Sequence, residues 1–120
     1  MYTQAALAAL LGSSVVSAQL NDLAVAAGLE YFGAALGEHI NDAPYRELIT
    51  NTSLIGSLTP ENGQKWAYVQ PSRGEFDYEA GAETVPGVAE ENGMILRCHA
   101  LVWHSQLPGW GMSPYHCFYE

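Results

Sequence analysis

Two short stretches of the sequence carry residue types able to do chemistry. Glu61, Asn62 and Lys65 fall within five positions. His99, Trp103, His104 and Gln106 fall within eight. Together they supply a carboxylate, two amides, an ammonium group, two imidazoles and an indole. Polar groups of this kind pair with vicinal hydroxyls, and an indole face covers the apolar C–H surface of a sugar ring. If the two stretches meet at one mouth, a carbohydrate site follows.

Each residue also has a plainer reading. Glu61 alone suits a general acid, or a solvated carboxylate at a helix start where the dipole favours it. Lys65 alone is an ordinary surface lysine. A histidine such as His99 on an apolar strand is more often a satisfied core residue than a ligand. His104 suits a structural role with its ring held by a backbone partner. Trp103 and Trp110 suit plain core aromatics. A zinc site built from Cys98, His99, His104, His116 and Cys117 is the competing chemistry. His99 and His104 are five apart on a strand-to-loop segment rather than four apart on a helix. The spacing of the two cysteines fits no zinc motif. No metal or cofactor is expected.

The elements that must position these groups follow from apolar runs and breakers. Residues 20–28 read as a helix closed by Gly28. The run from Glu30 to Leu36 reads as a buried strand. Pro44 opens a helix to Ile49. Leu54–Leu58 is a second strand, broken by Thr59 and Pro60, followed by the segment Gln64–Val69. Pro71-Ser72-Arg73-Gly74 is turn chemistry. A helix over 84–92 has Thr84 as N-cap, a first turn weakened by Pro86-Gly87, and Gly93 past its end. Met94–His99 is the third strand. Strands alternating with helices, each strand nearly uniformly apolar, predict a parallel sheet covered by helices. In such α/β folds function gathers in loops at the C-terminal ends of strands, where both stretches fall.

Composition bounds the partners. The chain has 120 residues with a formal net charge of −9, 48% hydrophobic and 14% charged. That is globular composition rather than disorder. The acid excess argues against nucleic acid, and Arg46, Lys65, Arg73 and Arg97 form no basic patch. No charged side chain precedes Asp22. The apolar stretch AALAALLGSSVVSA and the small residues before Gln19 make residues 1–18 a secretory signal peptide, although no Lys or Arg precedes the run. The alternatives are a core helix and a membrane anchor. The apolar run falls short of the roughly 18 residues a span needs, so no membrane partner is expected. Secretion would permit a disulfide between Cys98 and Cys117. Cys98 also reads as a small buried hydrophobe. Asn51-Thr52-Ser53 is an N-glycosylation sequon, meaningful if the chain is secreted.

Three motifs carry a family resemblance. They are Leu58-Thr59-Pro60-Glu61-Asn62-Gly63-Gln64-Lys65-Trp66, then Pro71-Ser72-Arg73-Gly74-Glu75-Phe76, then Arg97-Cys98-His99-Ala100-Leu101-Val102-Trp103-His104-Ser105-Gln106-Leu107-Pro108-Gly109-Trp110. In this order they resemble glycoside hydrolase family 10, the secreted endo-1,4-β-xylanases, over about Leu20 to Trp110. The resemblance implies an α/β fold, an incomplete (β/α)8 TIM barrel of about its first three strands. A typical barrel needs about 250 residues. It implies xylan or xylo-oligosaccharides as partner and a monomer when complete. Glu61, Asn62 and Lys65 match residues that hydrogen-bond xylose units on the non-reducing side of the cleaved bond. His99, Trp103 and Gln106 match residues that wall the subsite where the bond breaks. Trp66 matches a position of mainly structural role.

The family's retaining chemistry uses two glutamates, one acid/base and one nucleophile, about 5–5.5 Å apart. No segment of this sequence resembles either glutamate motif. Residues 111–120 resemble nothing in the family. Gly111-Met112-Ser113 is what a retained intron beginning GTATG would encode in one frame, so a truncated product is expected. Cys98, where many members carry Gly, and Pro86-Gly87 are further departures. The non-catalytic alternative is a sugar-binding or unstable fragment, with an edge strand and one apolar sheet face left open.

Overall fold

A computed structural model describes residues 19–79 and 81–112. The expected signal peptide over 1–18 lies outside the described residues, as do residues 113–120 with His116 and Cys117. The described chain forms three strands, β1 (Gly33–Leu36), β2 (Ser57–Pro60) and β3 (Ile95–Leu96), and four helices, α1 (Leu20–Ala26), α2 (Ala43–Ile49), α3 (Trp66–Val69) and α4 (Thr84–Glu91). Short 3-10 turns cover Glu38–Asn41 and Gly109–Gly111.

The strands are parallel and ordered β1-β2-β3, as the strand–helix alternation predicts. Register places Gly33 beside Ser57 and Ser57 beside Ile95. Alternation along a strand then sorts the side chains onto two faces. Ala34, Leu36, Leu58 and Leu96 join Tyr45 and Ile49 of α2, and Val85, Val88 and Ala89 of α4, in one apolar core. Leu36 and Leu58 are fully buried. Burying side chains of this size stabilises by about 1.5–3 kcal/mol each. The other face carries Gly33, Ala35, Ser57, Thr59, Ile95 and Arg97, away from the core that α2 and α4 build. This face mixes Gly33, Ala35 and Ile95 with Ser57, Thr59 and Arg97, and Ser57 is buried within it.

Helix ends follow their caps. Gly28, at φ 88°, closes α1 with paired backbone bonds, Gly28 N–H to Val25 O at 2.9 Å and Leu29 N–H to Ala24 O at 3.0 Å. Gly93, at φ 63°, closes α4 the same way, with Met94 N–H donating to Ala89 O at 2.8 Å. Glycine adopts this left-handed conformation without steric cost. The start of α4 differs from expectation. Glu83, not Thr84, occupies the cap position, because its carbonyl accepts the Gly87 N–H at 2.9 Å.

Strand limits shift because backbone donors are committed elsewhere. β1 starts late, since the Phe32 N–H donates to Asn21 Oδ1 at 2.8 Å. β2 excludes Leu54 and Ile55, whose N–H groups close a turn on Asn51 O at 2.9 and 2.8 Å. It runs through Pro60 instead of breaking there. The donor to Leu36 O is the Glu61 N–H, at 3.0 Å, so the missing proline N–H costs nothing. β3 is two residues long because the chain peels away after Arg97, and the His99 N–H turns to Gln64 Oε1 at 3.2 Å.

Candidate functional site

Glu61 is the first residue after β2, and the segment 61–65 leads into α3. The chain after β3 crosses the same sheet end and returns to α3, where the Ala67 N–H donates to Gln106 O at 3.0 Å. The two stretches therefore meet. Gln106 Nε2 donates to Asn62 Oδ1 at 2.9 Å, across 44 positions of sequence. Gln106 holds φ 53°, a left-handed conformation that side chains other than glycine rarely adopt.

Lys65 forms the floor. It is 3% exposed, and its ammonium donates to the backbone carbonyls of Glu61 and, at 3.4 Å, of His99. The Trp103 ring lies 5.3 Å from Nζ, a cation–π distance. Trp103 is tilted against His99 at 6.1 Å and edge-on to His104 at 5.0 Å. A buried lysine with two of its three ammonium donors on backbone carbonyls is no ordinary surface lysine, and one donor is left over. His99 is half-buried at the strand end rather than in the core, and the His99-Ala100 peptide is cis. His104 is exposed, and its ring contact is Trp103 rather than backbone.

Glu61 stands on the β1 side. A Cβ at Gly37 would come within 2.8 Å of the Glu61 carboxyl carbon, so the carboxylate lies over bare backbone. Its charge reaches Tyr45, whose hydroxyl donates to Ala35 O at 3.3 Å. Burial, and after it the Glu61 carboxylate, push the Tyr45 phenol above its ordinary 10.0. A cavity of about 270 Å³ adjoins, lined by Gly37, Glu38, Asn41, Asn62, Tyr68 and Thr84 among others.

Other features were not singled out from sequence. Gln64 binds the His99 N–H and joins the two loops from the protein side. Gln70 holds two indoles, accepting Trp66 Nε1–H on its side chain at 3.0 Å and Trp110 Nε1–H on its carbonyl at 2.9 Å. The four-residue spacing from Trp66, the first residue of α3, to Gln70 at its C-terminal cap signals the first bond. Trp110 also packs edge-on against Trp66 at 5.5 Å and beneath Arg73 at 5.4 Å. A cavity of about 600 Å³ lies beside this cluster and is lined by Phe76, Tyr78, Cys98, Leu101 and Val102 among others. Of the six expected sugar contacts only His99 borders it. Cys98 is exposed and has no disulfide partner among the described residues, so its reading as a buried hydrophobe is corrected. Among the described residues no three His, Cys, Asp or Glu side chains gather as a metal site.

The sequence model of glycosyl hydrolase family 10 matches residues 19–116, continuing past Trp110 to His116. The chain belongs to glycosyl hydrolase family 10. Within this family it is 50% identical over 108 residues to endo-1,4-beta-xylanase 1 of Humicola insolens, covering 88% of this chain and 25% of that relative. It is 46% identical over 96 residues to an endo-1,4-beta-xylanase of Agaricus bisporus, covering 79% and 28%. Among solved structures it resembles xylanase 10B from Thermotoga petrophila in complex with xylobiose, with 36% identity and a TM-score of 0.68 over 78% of this chain and 29% of that one. The family 10 xylanase from Bispora sp. MEY-1 with xylobiose gives 33% identity and a TM-score of 0.68, over 75% and 28%. The chain thus spans about a quarter of the length of its curated relatives, and its fold is part of a family 10 TIM barrel.

Proposed function

We propose that this chain supplies the non-reducing-side sugar contacts of an endo-1,4-β-xylanase that acts on xylan. Glu61, Asn62 and Lys65 bind xylose hydroxyls, and His99, Trp103 and Gln106 wall the subsite beside the cleaved bond. The observation that carries this reading is the Asn62–Gln106 bond beside a buried Lys65 under Trp103. It joins the two motif stretches into one polar surface with an indole face. The relatives named xylanases, two of them with xylobiose bound, support the substrate class. Residues 1–18 act in this reading as a secretion signal. Among the described residues no helix is long and apolar enough to cross a membrane.

Retaining hydrolysis needs two carboxyl groups about 5–5.5 Å apart. Glu61 is the one carboxylate among the six proposed sugar contacts. We therefore propose binding without bond cleavage for the 120-residue chain itself. Calorimetric titration with xylotetraose tests the first part, and Lys65→Met or Trp103→Ala should abolish the heat. Reducing ends released from xylan test the second. Clear turnover by the pure chain would refute the non-catalytic reading, and absence of any xylo-oligosaccharide heat would refute the binding site.

A further inference from the structure

We infer that Asn51 is an N-glycosylation site of the folded protein, taking an oligosaccharide from a polyprenyl-pyrophosphate donor. Asn51-Thr52-Ser53 is the one such sequon in the sequence. It sits in the turn between α2 and β2, and both Asn51 and Thr52 are exposed. Asn51 Oδ1 accepts the Ser53 N–H at 3.1 Å. No hydrogen bond among the described residues uses its Nδ2.

The sequon's backbone is anchored without that nitrogen. Ser53 O accepts the Asn21 and Asp22 N–H groups at 3.0 and 3.3 Å, and Thr52 O accepts Asn21 Nδ2–H at 2.9 Å. Asn51 O takes the Leu54 and Ile55 N–H groups. A substituent on Nδ2 therefore breaks none of the bonds that fix this turn. In the transfer, the Asn51 Nδ2–C1 bond forms as the sugar C1–O bond to pyrophosphate breaks. The amide nitrogen loses one proton and the polyprenyl pyrophosphate leaves. Asn51 lies at the end of the sheet where β2 begins, and Glu61 and Asn62 lie where it ends. The glycan thus stands at the end opposite the proposed sugar contacts.

The inference rests on the secretion reading, and the experiment separates the two. The full chain is expressed in yeast once with its own N-terminus and once behind a heterologous secretion leader. Cells and medium are both analysed by mass spectrometry before and after peptide:N-glycosidase. The leader-borne chain should carry an N-glycan whose enzymatic release leaves aspartate at position 51. Asn51→Gln and Ser53→Ala should lose it, and Ser53→Thr should keep it. A leader-borne chain without glycan at Asn51 overturns the inference. A glycan on the leader-borne chain alone sustains the site and overturns the secretion reading instead.

Discussion

Gln106 pairs a strained backbone with a useful side chain. A residue with a side chain pays roughly 1–2 kcal/mol for the left-handed conformation, and a neutral hydrogen bond contributes about 1 kcal/mol. The Asn62 bond therefore about offsets the strain. Gln106→Ala keeps the strain and loses the bond, so it should lose about 1 kcal/mol in a denaturant melt. Gln106→Gly loses both, and its stability should stay within about 1 kcal/mol of the parent. Both variants should bind xylotetraose more weakly by calorimetry. Equal destabilisation of the two would show that the backbone angle carries no strain.

Tyr45 gives the residue scale a pH dependence. Its folded phenol holds its proton more tightly than the unfolded one, through burial first and the Glu61 carboxylate second. Its contribution to stability is full below about pH 10 and is lost as pH rises through the folded value. Melting temperatures should fall over that alkaline range, and Tyr45→Phe should fall less steeply. In Glu61→Gln the Tyr45 tyrosinate absorbance should appear at lower pH than in the parent, yet still above the ordinary value because burial persists. An unchanged titration would mean that Glu61 does not reach Tyr45 in solution.

At the scale of elements, two glycines separate conformational freedom from space. Gly87 lies inside α4 with open space where a Cβ would stand. Gly87→Ala should stabilise by about 0.5–1 kcal/mol, since glycine weakens a helix interior by that much. Gly63 sits on the backbone of Gly81, whose carbonyl carbon would lie 2.6 Å from an added Cβ. Gly63→Ala should cost about 1–3 kcal/mol, because backbone must move. Thermal melts of the two variants should shift in opposite directions.

The same elements show what the sequence could tell. α1, α2 and α4 were legible because Gly28, Pro44 and Gly93 act locally. Strand limits were not, because Asn21, Asn51 and Gln64 take strand donors through contacts that only the folded chain makes. The six proposed sugar contacts stand out in the sequence as two stretches. That Asn62 would meet Gln106, or Gln64 the His99 N–H, depends on two loops converging, which no local spacing encodes. Tyr45 beside Glu61 had no sequence signal at all.

The whole molecule adds surfaces that its elements leave uncovered. Among the described residues β1 and β3 each pair with a strand on one side only, although Ala35 O of β1 accepts the Tyr45 hydroxyl. Leu101 is 97% and Val102 77% exposed at the rim of the 600 Å³ cavity, beside the stacked and exposed Phe76 and Tyr78. The core beneath rests on one covered sheet face. Apolar patches of this kind bind other surfaces. The 120-residue chain should therefore enhance the fluorescence of an anilinonaphthalene dye and sediment as larger species at higher concentration. Replacing Leu101 and Val102 together by lysine should lower the dye signal without lowering the melting temperature, because neither residue packs in the core. Association that survives this change should run through the strand edges, and adding lysine at exposed Ala35 of β1 should reduce it. A single monomeric species at all concentrations, with no dye signal, would show that the open edges and the cavity rim are covered in solution.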